Sequence, residues 1–170
     1  GFYGAILGGH GENTPPYSDI DQYLSLAEGA AVNVAAAVNH SALRIFAGGW
    51  NSVPYGEIAP VMKEELRRNL RMGAVGLSVG LDYFPACTLN VATEELVDLA
   101  KVAAEEDALL LTHIRPAGYG SDPLAEMDQV ARQSGVKPHI LHTKTAYPAT
   151  CGHPEAIADG FDKANREGAD

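Results

Sequence analysis

The sequence alternates short apolar runs with amphipathic segments five times, and this alternation constrains the fold more than any other feature of the chain. Apolar runs bounded by turn residues are typical of buried parallel strands, and periodic segments between them are typical of crossover helices. The pattern therefore predicts an α/β fold with a parallel sheet. The five predicted strands are residues 2–7, 31–38, 74–79, 108–112 and 138–141.

Capping residues and the helical spacing of apolar positions locate the helices between these strands. Gly29 and Gly135 are predicted to end two of them. Residues 39–56 show no periodicity, so they predict a long connection, which in a compact domain usually serves function. The predicted helices begin at Ser18, Glu57, Thr93, Asp122 and Pro154.

Composition argues against several classes of partner. The 170-residue chain has 12 basic and 22 acidic residues, a net charge of −10, and its longest basic run is Arg67-Arg68. Nucleic-acid binding needs clustered cations, so we expect no such partner. No apolar stretch approaches the roughly 18 residues of a membrane-spanning helix, and no signal peptide opens the chain. Because only Cys87 and Cys151 are present, we expect a reduced cytoplasmic protein without membrane contacts.

Two of the predicted strands end in a histidine, and these are the main candidate functional residues. His113 follows the apolar run 108–112, and His142 follows 138–141. Parallel α/β folds carry their chemistry at the C-terminal ends of the strands. Two neutral imidazoles at that edge could form half of a divalent-metal site.

Strand parity predicts which side chains share a face with these histidines. Residues two apart in a strand point to the same side of the sheet. If His113 points inward, Leu111 does too. If His142 points inward, Ile140 accompanies it and His139 points outward to the helices. The sequence therefore favours His142 over His139 as the partner of His113.

Several short motifs, in order along nearly the whole chain, resemble the N-acyl-D-amino-acid deacylases of the amidohydrolase superfamily. A further similarity lies in the region that would be the third strand of that family. The motifs are Gly76-Leu-Ser-Val-Gly-Leu-Asp-Tyr83, Ala92-Thr-Glu-Glu-Leu96, Thr112-His-Ile-Arg115, Leu141-His-Thr-Lys144, and Val32-Asn-Val-Ala with Val38-Asn-His-Ser-Ala-Leu-Arg44.

The resemblance implies a metal-dependent hydrolase (β/α)8 TIM-type barrel, present here as about five βα units in one domain over residues 1–170. This partial barrel would lack the first strand and the last two. The family holds zinc with a cysteine after the second strand and with histidines ending the fifth and sixth, which match His113 and His142. His10, in Gly8-Gly-His-Gly11, stands where the family has the cysteine. A three-histidine site for one or two zinc ions is therefore expected.

The resemblance also implies an activity and a substrate. Zinc polarises an amide carbonyl and activates water, while an aspartate of the eighth strand acts as general base. That aspartate has no counterpart here, so it is expected outside this chain. The implied reaction hydrolyses N-acyl-D-amino acids. Lys144, Arg115 and Tyr83 are the candidates for binding the free carboxylate of this small-molecule substrate.

Two alternatives remain at the level of sequence. A cyclic-amide hydrolase, related to hydantoinase or dihydroorotase, would usually carry a carboxylated lysine on the fourth strand, and residues 74–83 contain no lysine. A non-catalytic barrel fragment would bind no zinc. His40 and Arg44 match the family motif and are interpreted as loop anchors. The open sheet edges of a partial barrel predict self-association.

Overall fold

A computed structural model describes a parallel sheet with helices packed against it. The described residues are 19–49, 53–81, 91–115, 122–141 and 152–166. The sheet contains β1 (Val38–Asn39), β2 (Gly76–Gly80), β3 (Leu109–His113) and β4 (Lys137–Ile140). Neighbouring strands are all parallel, and their order in the sheet follows their order in the chain. Parallel neighbours require a crossover between them, and helices supply it.

Six helices accompany these strands in the described part of the chain. None of the described helices is long and apolar enough to cross a membrane. The helices are α1 (Ile20–Ser25), α2 (His40–Gly48), α3 (Tyr55–Arg71), α4 (Thr93–Glu105), α5 (Pro123–Ser134) and α6 (Pro154–Arg166).

Three predicted strands agree with β2, β3 and β4 to within two residues at each end. The predicted strand 31–38 is shorter than expected, because only Val38 and Asn39 pair with β2, while the Ala36 carbonyl accepts one bond from Val75 N.

The predicted loop 39–56 is wrong, since α2 begins at His40. The Asn39 side chain caps this helix by accepting a hydrogen bond from the backbone N–H of Ala42 at 3.0 Å. The predicted strand 2–7 lies outside the described residues.

The predicted helix caps have different outcomes. The Asp122 side chain accepts from the N–H of Leu124 at 3.0 Å, and Gly135 ends α5 in the left-handed conformation, so both predictions are confirmed. The Thr93 cap is wrong. Ala92 occupies the N-cap position of α4, and the Thr93 hydroxyl instead donates to Glu126 at 2.8 Å. Ser18 lies outside the described residues.

The hydrophobic core lies between the sheet and the helices. Strand residues Val38, Leu77, Val79 and Leu110 all belong to this core. Their helical neighbours are fully buried; these are Met62, Leu66, Leu96, Leu99 and Val130. The opposite side of the sheet, here called the inner face, carries the alternate residues Asn39, Ser78, Leu111 and His113.

The register of β4 corrects the predicted parity. Ile140 aligns with Thr112 and packs against the helix-side core, so it does not point to the inner face. His139 aligns with Leu111 and therefore shares the inner face with His113. The prediction that Ile140 points inward and His139 outward is wrong, because apolar character alone does not say which side of a strand the helices cover.

We predict that Gly76→Ala destabilises the sheet by about 1–3 kcal/mol, because a Cβ there would lie 2.9 Å from the carbonyl carbon of Leu109 and closer still to its oxygen. Gly56→Ala is the matched control. It lies in α3 with no atom within 4 Å of its added Cβ, so alanine is expected to be neutral or to stabilise by up to about 1 kcal/mol. Urea unfolding of both variants measures the difference, and equal stability would contradict the steric argument.

Candidate active site

His113 lies where sequence predicted it, at the C-terminal end of a strand. It is the last residue of β3, sits opposite Gly80 in β2, and is only 5% exposed. Its carbonyl accepts a hydrogen bond from Leu81 N at 3.1 Å, and the preceding carbonyl of Thr112 accepts one from Leu141 N at 2.8 Å. The strand end that carries His113 is therefore held by hydrogen bonds on both sides.

Most of the other predicted site residues lie outside the described residues. These are His10, Tyr83, His142 and Lys144. Within the described ranges, no three histidine, cysteine or carboxylate side chains form a group that could hold a metal ion. The assignment of His10 and His142 as ligands of the same metal as His113 therefore stays a prediction, as does the carboxylate-binding role of Lys144 and Tyr83.

Arg115 is described, and its guanidinium contacts protein groups. Its Nε donates to both carboxylate oxygens of Glu126, at 3.0 and 2.8 Å, and its Nη2 donates to the carbonyl of Val91. The Thr93 hydroxyl donates to the same carboxylate. Arg115 and Glu126 are both buried. The prediction that Arg115 binds a substrate carboxylate stays a prediction, and in this structure its guanidinium is bound to Glu126 and Val91.

A second buried carboxylate lies between α2 and α4. Glu95, 1% exposed, has Oε1 2.7 Å from His40 Nε2, and it accepts from Arg44 Nε at 2.8 Å and from Arg44 Nη2 at 2.5 Å. Burial raises the pKa of Glu95, but the hydrogen bonds and charges of His40 and Arg44 outweigh it and leave this pKa below its ordinary value. His40 is fully buried, and its Nδ1 has no partner in the described part of the chain.

The sequence interpretation missed this cluster, although a signal was present. Glu95 precedes Leu99 by four residues and Val102 by seven, so it occupies the apolar face of α4. A carboxylate at such a position needs a buried partner. The interpretation of His40 and Arg44 as loop anchors is wrong, since both residues lie in the helix α2 and contact the Glu95 carboxylate of α4.

Comparisons with known proteins identify the fold. No protein-family profile matches the sequence. The crystal structure of N-acyl-D-glutamate deacylase from Bordetella bronchiseptica, complexed with zinc and a phosphonate inhibitor that mimics the tetrahedral intermediate, has a TM-score of 0.81 and 32% identity; the match covers 98% of this chain and 35% of that chain. A D-aminoacylase, described as defining a novel subset of amidohydrolases, has a TM-score of 0.77 at 24% identity over 88% of this chain and 32% of its own, which supports the fold alone. The described strands and helices thus have the fold of part of a TIM-type barrel, as predicted.

A sequence relative narrows the assignment further. N-acyl-D-glutamate deacylase from Alcaligenes xylosoxydans xylosoxydans is 34% identical over 170 residues, which are 98% of this chain and 34% of the relative. The resemblance to the N-acyl-D-amino-acid deacylase family that the sequence motifs indicated is confirmed over nearly the whole chain. It spans about a third of the length of these relatives.

We predict that Glu95→Gln lowers the free energy of unfolding by about 3 kcal/mol at pH 7, because it leaves the Arg44 guanidinium, which is only 13% exposed, without its counter-charge. The ionised Glu95 has a lowered pKa in the folded state, so its contribution is present above its unfolded value of about 4.5 and is lost as pH falls through the folded value. The difference between wild type and variant should therefore shrink below about pH 4.5.

Urea unfolding of both proteins between pH 7 and pH 3 measures this difference. Glu94→Gln is the matched control, since Glu94 is the exposed neighbour in the same helical turn; this variant should follow wild type at every pH. A stability loss in Glu95→Gln that does not vary with pH would show that the charge of Glu95 is not what stabilises the cluster.

Proposed function

We propose that the protein carrying this chain hydrolyses the amide bond of N-acyl-D-amino acids to a carboxylate and a free D-amino acid, and that it depends on zinc. The observation that carries the proposal is the position of His113, a buried histidine at the C-terminal end of a strand in a deacylase-family barrel. Two relatives with more than 30% identity are N-acyl-D-glutamate deacylases, and one was crystallised with zinc.

The described residues fit a zinc ion in part. His113 offers an imidazole at the inner-face edge of the sheet, a donor that suits zinc well. We propose His142 and His10 as the further ligands. Bound there, zinc would act as a Lewis acid that polarises the substrate carbonyl and lowers the pKa of water. Lys144 and Tyr83 are proposed to bind the carboxylate that every N-acyl-amino acid carries.

A cyclic-amide hydrolase is the second candidate reaction within the superfamily. Its usual bridging group, a carboxylated lysine on the fourth barrel strand, is not available in β2, whose sequence is Gly-Leu-Ser-Val-Gly. This observation, together with the names of the relatives, favours the linear amide. A protein that binds no zinc would instead support a non-catalytic barrel.

We predict that the full-length protein releases amine from N-acetyl-D-amino acids, that a chelator abolishes the release, and that added zinc restores it. The comparison of N-acetyl-D-glutamate with other D- and L-substrates tests specificity. His113→Ala should reduce activity to the chelated level. His139→Ala is the matched control, because His139 shares the inner face but is exposed and is not a proposed ligand. Amine release that survives chelation, or that is equal in both variants, would refute the proposal.

We also propose that the protein is cytoplasmic and acts on a small molecule without nucleic-acid or membrane partners. The low cysteine content and the net charge of −10 support this. Among the four described strands, β1 and β4 lie at the two ends of the sheet.

Unpaired strand edges attract other chains, so we predict that the isolated 170-residue chain self-associates. Sedimentation velocity over a range of concentrations would measure this. A monodisperse monomer at high concentration would contradict it.

A further inference from the structure

Arg115 contacts the Glu126 carboxylate and the Val91 carbonyl, and the Thr93 hydroxyl contacts the same carboxylate. These four groups are here called the Arg115 clamp. The shortest separation between Arg115 Nε and Glu126 is 2.8 Å, and Thr93 Oγ1 lies 2.8 Å from the same carboxylate. Arg115 is 8% and Glu126 7% exposed. Both charges are thus held away from solvent.

The clamp joins two consecutive βα units, β2–α4 and β3–α5, at one point. Arg115 comes two residues after His113 at the end of β3. Val91 and Thr93 lie just before and at the start of α4, and Glu126 lies in the first turn of α5. Because α4 and α5 both begin at the C-terminal edge of the sheet, the clamp ties the end of β3 to the segments on both of its sides.

Because Arg115 and Glu126 are both buried, we expect the guanidinium to stay bound to Glu126. Removing one partner of a buried ion pair is strongly unfavourable, because a charge then remains buried without compensation. If Arg115 turned toward a substrate carboxylate, the Glu126 carboxylate would stay buried without a counter-charge. The hydrogen bond from Arg115 to the Val91 carbonyl would also be lost. The same contacts therefore fix the backbone that follows His113.

We propose that Arg115, Glu126 and Thr93 are positioning residues that act through His113: the clamp fixes the end of β3 so that the His113 imidazole is oriented for zinc. This proposal depends on one part of the proposed function, which is the assignment of His113 as a zinc ligand. Groups that orient a metal-binding histidine typically contribute 10–100-fold to metal affinity, as a rough range. The contribution of the clamp should fall in that range, although it acts through the backbone.

The test measures zinc affinity in the full-length protein by competition with a chromophoric chelator, and measures unfolding of the zinc-free protein separately. We expect Glu126→Gln to weaken zinc binding by about 10-fold or more. Thr93→Val removes one hydrogen bond and no charged side chain, so it should fold readily and give a smaller loss in the same direction. Glu106→Gln is the matched control, since Glu106 pairs with Arg71 at the opposite end of α4 and should leave zinc affinity unchanged.

Three results would overturn the proposal. Equal zinc affinity in all variants, with only the stability of Glu126→Gln reduced, would mean that the clamp is merely structural. A KM that rises in Arg115→Met with unchanged zinc affinity, and that does not rise for a substrate with a carboxamide in place of the carboxylate, would mean that Arg115 binds substrate. A wild type that binds no zinc would remove the role of His113 itself. If zinc binds as expected but no N-acyl-D-amino acid is hydrolysed, the proposed function fails and the clamp stands.

Discussion

The parallel pairing of β2 with β3 is the interaction on which the rest of the structure depends. Five consecutive residue pairs, from Gly76 with Leu109 to Gly80 with His113, fix the register of the two central strands. The close approach at Gly76 leaves no room for a side chain at the start of this ladder. At its other end, the same register places His113 at the edge where barrel enzymes carry their chemistry.

The sequence pattern of a single segment was sufficient to predict those strands and helix caps that depend on that segment alone. The strands β2, β3 and β4 were predicted because each is a short apolar run between turns, and the cap at Asp122 followed from its own side chain. The run 31–38 is as apolar as these, yet Val32 is exposed, because this part of the chain precedes the sheet rather than entering it. Apolar character predicts burial only where another element covers the residue.

The sequence was sufficient to predict the position of His113, but not the buried carboxylates Glu95 and Glu126 and their arginine partners. His113 was found because a strand end is visible in the sequence. Glu95 and Glu126 lie in the first turns of helices, where acids are usually solvated and stabilised by the helix dipole. Their arginine partners are 51 and 11 residues away, Arg44 earlier in the chain and Arg115 just before α5. Only the packing of helices on the sheet brings these charges together.

The two arginine–carboxylate pairs affect how the molecule opens. The Arg44–Glu95 pair joins α2 to α4, and the Arg115–Glu126 pair, which links the end of β3 to α5, contacts α4 through the Thr93 hydroxyl. Moving α4 away from either neighbour therefore removes a counter-charge or a hydrogen bond from a buried carboxylate. The central units should therefore exchange their amide hydrogens with solvent through one shared, cooperative event.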